Sequence, residues 1–317
     1  MNDSPIRVGV VGLGSFGRHH ARHYAANPAA ALVAIADLDV ARARAACATH
    51  GGEPYASYRD LIGKVDAVSI ATPASLHYAI ARDLIEAGIH VLIEKPIATE
   101  SAHARELVAA AEARGVVLQV GHLERFSPAI VELRSRLTAP RRIAAIRQSG
   151  WTGRSEDVDV VLDMMIHDID LVLSLAGAPV ASVTANGANV KSGKTDEAEA
   201  WITFDNGLIA TLSASRVAPV AIRRITVTEP DTTFVADLDR PGLSMRARRR
   251  PGETAVDVLL PARDNLGAEI GAFLNSVRTG ATPEANGAAA LAALQVAERI
   301  QTAINENNQP AKRARDI

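Results

Sequence analysis

IRVGVVGLGSFG, residues 6–17, decides how the rest of the chain is read. Its first six residues are almost unbroken apolar sequence, the composition of a central parallel strand covered on both faces. The run leads straight into Gly12, Gly14 and Gly17, a GxGxxG turn enclosing Ser15 and Phe16, and a helical segment follows to about residue 27, where Pro28 stops it. A second strand is expected at residues 32–36, with Asp37 at its end, about 20 residues beyond the last glycine. Glycines let the backbone turn tightly and approach a pyrophosphate, whose charge is favoured at a helix N-terminus. A carboxylate at the Asp37 offset accepts hydrogen bonds from an adenosine ribose. Asp37 would repel a 2′-phosphate and its neighbour Leu38 offers no cation, so the expected cofactor is NAD(H) rather than NADP(H).

Outward from this turn the alternation continues. Helices are expected at residues 40–50, 58–62, 75–87 and 101–114, with Gly88 and Gly115 ending the last two, and strands at 67–71, 90–93 and 116–120. Such βα alternation specifies a doubly wound parallel sheet, a Rossmann domain, in which ligands bind beyond the carboxyl ends of the strands. Those ends carry Thr72-Pro73, Glu94-Lys95-Pro96 and Gly121-His122, and His77 lies in the helix after Pro73. All but Gly121 are candidate site residues: Thr72, Pro73, His77, Glu94, Lys95 and Pro96 for the cofactor, and His122 for a substrate. Pro96 restricts Lys95 to extended backbone and is a candidate for a cis bond, which would fix where the ammonium group points.

After Arg125-Phe126 the composition changes, which places a tight hinge near Gly121 and the domains at residues 1–122 and 123–317. A helix is expected at residues 128–137 and a strand at 142–150. Strands follow at 199–204 and 208–213, joined at Asp205-Asn206-Gly207, where Asn-Gly favours a type I′ turn. Further strands fit 224–228, 233–238 and 243–248, and helices 265–279 and 288–305 close the chain. This is an α+β domain with an open-faced, mostly antiparallel sheet, whose last helix can pack back on the first domain. An open sheet face needs a cover, so a homodimer or homotetramer is expected.

One helix stands apart. VDVVLDMMIHDIDLVLSLA, residues 158–176, is apolar nearly all round and is stopped by Gly177 and Pro179, yet Asp163, His167 and Asp170 fall at i, i+4 and i+7 on one stripe. Ionisable groups in apolar surroundings are costly unless paired or used. A satisfied internal network, a metal site and acid/base chemistry all fit the stripe taken alone. No second His or Cys cluster lies nearby to complete a metal site, and none is expected.

Whole-chain properties narrow the classes. At 317 residues the chain is long enough for two domains with sizeable cores. A net charge of −2, with 22% charged residues, gives no electrostatic reason to expect a nucleic-acid partner. Cys47 is the only cysteine, which excludes an internal disulfide and suits a reducing, cytoplasmic compartment. No apolar run reaches membrane-spanning length, because Asp163, His167, Asp168 and Asp170 interrupt the longest candidate, and the N-terminal run is too short for a signal peptide.

GLGSFG, Asp37, Glu94-Lys95-Pro96 and Asp163-x-x-x-His167 together resemble the glucose-fructose oxidoreductase, inositol dehydrogenase and MocA family over nearly the full length. The resemblance implies a catalytic Lys, Asp and His, which match Lys95, Asp163 and His167. Within the family, residues 120–129 and LDMMIHDIDL are similar to a branch that oxidises the 3-hydroxyl of UDP-N-acetylglucosamine with NAD, ahead of transamination toward the 3-amino sugars of lipid A. Leu123 and Glu124 stand where Asn and Arg are common in the wider family, which argues against a simple free-sugar or inositol substrate. His167 would then be the base, Lys95 would stabilise the developing alkoxide and Asp163 would balance the charge, with Lys and His able to exchange roles. A UDP-sugar needs cations for its diphosphate, and Arg125, Arg154, Arg223 and Arg224 are the candidates. Two alternatives stand beside this reading: another sugar, polyol or inositol dehydrogenase, and a non-catalytic NAD-sensing regulator on the same fold.

Overall fold

The computed structural model describes residues 4–153, 158–240, 242–247 and 255–308. They fall into two compact units, one within Met1–Phe126 and Arg263–Ala292, the other within Ser127–Ala262 and Ala293–Ile317.

In the first unit the chain runs β1 (Ile6–Val11), α1 (Gly17–Ala26), β2 (Ala30–Ala36), α2 (Val40–His50), β3 (Glu53–Tyr55), β4 (Ala67–Ile70), α3 (Ala74–Glu86), β5 (His90–Ile93), α4 (Ser101–Arg114) and β6 (Leu118–Val120). The strands form one parallel sheet in the order β3-β2-β1-β4-β5-β6. All four side chains of β4 are buried, as expected of a strand covered on both faces. The order reverses direction at β1 and β4, where a doubly wound sheet opens a crevice. Register then places the chemistry, because Ala36, Val11, Ile70, Ile93 and Val120 pair across the sheet in one row. Asp37, Gly12, Ala71, Glu94 and Gly121 therefore leave the sheet at a common edge. The core beneath joins Val8, Val10, Leu13, Tyr24, Ile35 and Leu92 to Ile270, Phe273 and Leu274 of a later helix.

In the second unit come α5 (Pro128–Arg136), β7 (Arg142–Gln148), a π-helical turn (Val161–Met165), α6 (Ile166–Ala176), β8 (Val180–Ala188), β9 (Glu197–Phe204), β10 (Ile209–Ser215), β11 (Ile222–Thr228), β12 (Thr232–Asp237), β13 (Gly242–Ala247) and β14 (Val256–Leu259). Helix α7 (Asn265–Thr279) supplies those later core residues of the first unit, at the i, i+3 and i+4 spacing of one helix face. Helix α8 (Gly287–Asn308) ends the described chain. The eight strands pair in the order β14-β13-β12-β11-β7-β10-β9-β8, antiparallel throughout except for β7 with β10. Strand β9 shows how one face is buried: Ala198, Ala200, Ile202 and Phe204 point to the core while Glu197, Glu199 and Trp201 are exposed. Helix α6 packs on β7 and β10, and α5 on β12 and β13. No helix among the described residues is long and apolar enough to cross a membrane.

Several local expectations are corrected. Strands β3, β8 and β14 were not anticipated. The expected single helix over residues 158–176 is instead a π turn followed by α6, since the Ile166 N–H reaches back five residues to the Val161 carbonyl. The β9–β10 connection is a three-residue loop, in which the Gly207 N–H bonds the Phe204 carbonyl and Gly207 takes a positive φ of 80°, rather than a two-residue type I′ turn. The strand expected at 142–150 stops at Gln148.

Candidate active site

The Gly-rich turn has the shape that a pyrophosphate requires. Gly12 adopts φ +87°, and a Cβ there would sit 2.8 Å from the Ala71 carbonyl oxygen at the end of β4. A Cβ on Gly17 would collide with the Gly12 carbonyl oxygen, so α1 can start only where it does because residue 17 has no side chain. Gly14 differs: a Cβ there would meet nothing within 4 Å, which leaves its backbone open to a ligand. Ser15 and Phe16 are exposed on the same turn, and the N-terminus of α1 has no side-chain cap. Free N–H dipoles with no carboxylate in the first helical turn suit an anion. Gly17→Ala is expected to weaken NADH binding about 10- to 100-fold, the cost of displacing backbone that cannot yield. Fluorescence titration with NADH measures this, and unchanged affinity would contradict the close contact.

Asp37 follows β2, and its Oδ2 accepts the Leu13 N–H at 2.7 Å while Oδ1 accepts the Asp39 N–H at 2.8 Å. Leu38 offers no cation, but Arg42 in the first turn of α2 brings Nη1 to 3.4 Å from Asp37 Oδ2. Across the crevice, Glu94 ends β5 and the Lys95–Pro96 bond is cis. Lys95 itself is half-buried. Glu94 Oε1 accepts from Nε2 of the fully buried His20 at 2.9 Å. On the other side of the ring His20 Nδ1 lies 3.0 Å from Ser69 Oγ, which is 2.7 Å from the Tyr24 hydroxyl, so these side chains and Glu94 form one buried hydrogen-bonded chain. Burial pushes the Tyr24 phenol above its ordinary value, which keeps it a donor. A Cβ on Gly121 would lie 2.8 Å from Glu94 Oε2, so the same carboxylate also needs a glycine at the end of β6.

His77 on α3 joins two of the strand ends. Its Nδ1 lies 2.8 Å from the Pro96 carbonyl and its Nε2 2.9 Å from the Thr72 carbonyl, and only the imidazolium can donate to both. Burial pushes its pKa down, opposed by those two carbonyls and by the charge of Glu94. Pro73 is exposed beside Thr72.

In the second unit Asp159 starts the helical segment, its Oδ1 accepting the Val161 and Leu162 N–H groups and its Oδ2 the Gln301 amide. Asp163 lies in the π turn and His167 in the first turn of α6. Both are half-buried, whereas Asp168 and Asp170 are buried. π turns recur at functional sites, and here one changes the angle between Asp163 and the residues after it. Asp168 is matched by Arg147 of β7 through two parallel bonds of 3.1 and 2.9 Å, with both side chains almost wholly buried. Sequence reading passed over this pair, since the residues lie far apart in the chain and on different elements.

The other cation candidates separate. Arg125 is buried in the first unit and donates to the Glu284 carbonyl at 2.8 Å. Arg223 pairs with Asp239 and Arg224 with Asp237. As consecutive residues of β11 they leave the sheet on opposite faces, so they cannot clamp one diphosphate together. Arg154 lies outside the described residues, and His122 is buried.

Residues 6–122 match the model of an oxidoreductase family with an NAD-binding Rossmann fold, and residues 129–230 match the GFO/IDH/MocA C-terminal domain. The chain is 38% identical over 306 residues to UDP-N-acetylglucosamine 3-dehydrogenase from Acidithiobacillus ferrooxidans, covering 94% of this chain and 97% of that one. A solved structure of that enzyme superposes with a TM-score of 0.90 over 96% of this chain and 99% of its own, at 37% identity. The chain is also 27% identical to scyllo-inositol 2-dehydrogenase (NAD(+)) from Bacillus subtilis, over 88% of each.

Proposed function

The chain belongs to the GFO/IDH/MocA oxidoreductase family, and from that premise we propose that it is an NAD-dependent dehydrogenase that oxidises the 3-hydroxyl of a nucleotide sugar, UDP-N-acetylglucosamine above all. The carrying observation is the likeness to the UDP-sugar enzyme, which runs through both units and leaves neither sheet unmatched. On this reading the 3-keto sugar passes to an amino transfer, ahead of 3-amino-sugar synthesis for lipid A, and the reaction runs in the cytoplasm.

Bound NAD supplies the acceptor for the hydride that leaves the carbinol carbon. The residues of the chain do the rest. His167, in its neutral form, takes the hydroxyl proton. Lys95 holds a positive charge for the oxygen that becomes negative as that proton departs. Asp163 balances the charge and orients its neighbours. The Gly-rich turn and the N-terminus of α1 hold the pyrophosphate, Asp37 the adenosine ribose, and the edge made by Thr72, Pro73, His77, Glu94 and Pro96 the nicotinamide end. His122 and Arg125 are proposed on the substrate side, with Arg154 and one of Arg223 and Arg224 as further cations. The face of the second sheet that carries Trp201 and Ile209, both substantially exposed, is proposed to be covered by another copy in a homodimer or homotetramer, which light scattering reads directly.

The test is NADH formation from NAD+ with a panel of UDP-sugars, free hexoses and inositols, with a 3-aminotransferase added to draw off the ketone. Turnover of UDP-N-acetylglucosamine is expected. Turnover of myo-inositol or a free aldose alone would replace the substrate with that of the inositol dehydrogenases. NAD binding with no turnover of any substrate would make the protein a sensor.

A further inference from the structure

Trp151 follows the end of β7 in the second unit and is half-buried. Two cations lie against its ring, the Arg216 guanidinium at 5.5 Å from the centroid and the Lys191 ammonium at 5.2 Å. They are held very differently. Arg216 is buried and committed, with Nε on Asp196, Nη1 on the Val158 carbonyl and Nη2 on Ser192 Oγ, so it is a fixed wall for the ring. Its charge is matched by Asp196. Lys191 is exposed, and Asp196 holds it through its backbone N–H. The Lys191 ammonium has no carboxylate partner among the described residues and rests on the indole. A cation on an exposed aromatic face is weakly held, and an ammonium on a flexible stem moves readily to an anion.

The ring also stands near chemistry in its own unit. Ser149, two residues before Trp151, directs Oγ to Met164 Sδ at 3.8 Å, and Met164 adjoins Asp163 in the π turn. Two residues of chain span about 7 Å at most. Trp151 is therefore within the reach of a nucleoside diphosphate from Asp163. We propose that Trp151 and Lys191 seat the nucleotide end of the substrate, with the base on the indole and the Lys191 ammonium turned from the ring to the diphosphate. An indole accepts the flat face of a base, and the ammonium supplies a charge that the phosphates require. Arg216 stays behind the ring throughout. The inference rests on the nucleotide-sugar reading and adds Lys191 to the cations proposed for that substrate.

The experiment measures binding by calorimetry in the full chain, with the dinucleotide site filled by NADH so that no other nucleotide enters it and no sugar is oxidised. The titrants are UDP-N-acetylglucosamine, UDP and uridine. Lys191→Ala is expected to weaken the first two about tenfold and uridine hardly at all, and the loss should shrink as salt rises. The Lys191 side chain makes no other polar contact among the described residues, so melting should be unchanged. Trp151→Ala should weaken all three about tenfold, and Trp151→Phe should restore most of that, because a smaller ring still stacks. A merely structural Trp151 would not distinguish uridine from a ligand without a base, so N-acetylglucosamine 1-phosphate serves as the control and should be unaffected. Affinity for UDP-N-acetylglucosamine that stays at the wild-type level in both Lys191→Ala and Trp151→Ala would overturn this proposal and leave the nucleotide-sugar reading standing. Failure of UDP-N-acetylglucosamine to bind the NADH-loaded wild type would overturn that reading and the proposal with it.

Discussion

Lys95→Ala is expected to lower kcat by about 10³-fold while leaving NADH affinity within a few-fold of wild type. Lys95 stands two residues beyond Ile93, the end of β5, between Glu94 and Pro96. Those neighbours have their own anchors in His20 and His77, so removing the Lys side chain leaves the cofactor edge built. What disappears is a fixed cation for an oxygen that gains charge only as the reaction proceeds, and such a loss falls on kcat rather than on ground-state binding. His167→Ala should cost a comparable factor, about 10²- to 10⁴-fold, and should also abolish the acid limb of the kcat/KM profile, because an imidazolium cannot accept a proton. The double variant should be little worse than either single one, as groups that act on one proton transfer are not additive. Stopped-flow and steady-state rates with UDP-N-acetylglucosamine decide the matter. A Lys95→Ala enzyme within tenfold of wild type would remove Lys95 from the chemistry.

How much of this was legible beforehand follows the range of the interactions. The strand, Gly turn and helix of residues 6–26, and Asp37 beyond them, are set by local backbone needs that the sequence displays openly. Helices α2 and α4 fall at the expected bounds because Asp39 caps one and Gly115 ends the other in the left-handed conformation. Strand β8 gave no such signal, since it lies at a sheet edge, is exposed at several positions and contains Asn186 and Gly187. Strand β3 is three residues with Pro54 at its centre, tolerated only at an edge. The π turn depends on one shifted backbone bond that no side chain announces. The cation beside Asp37 is not at residue 38, next along the chain, but at residue 42, which a helix turn brings back to it. Long-range pairs such as Arg147 with Asp168 cannot be read from spacing at all, because their partners meet only once the helix lies on the sheet.

Asp196 is another of these hidden groups, and its replacement is expected to be the most damaging to stability. The side chain is fully buried. Its Oδ2 accepts the backbone N–H groups of Val190, Lys191 and Ser192, at distances of 2.5 to 2.9 Å, and its Oδ1 accepts Ser192 Oγ at 2.6 Å and Arg216 Nε at 2.8 Å. Burial alone would raise its pKa, but those donors win and hold it well below the usual carboxylate range. The folded protein therefore keeps this group ionised to lower pH than the unfolded chain does. Its contribution is complete above about pH 4, the unfolded carboxylate range, and is lost as pH falls toward the folded value. Asp196→Asn is expected to cost about 3–5 kcal/mol, with melting lowered on the order of 10 °C, because it removes the charge that pairs with Arg216 and leaves one acceptor oxygen where the guanidinium and the loop N–H groups use two. Adding Arg216→Met should recover only part of the loss, since the three backbone donors of the 190–192 loop then bond a neutral amide oxygen in place of a carboxylate. Function should follow stability here. Arg216 Nη1 also holds the Val158 carbonyl at 2.9 Å, and the Val160 N–H donates to the Thr195 carbonyl, so the loop that Asp196 organises fixes the start of the helical segment carrying Asp163 and His167. Activity of Asp196→Asn should accordingly fall at temperatures well below its own melting transition. Full activity up to that transition would show that the helix keeps its place without the loop.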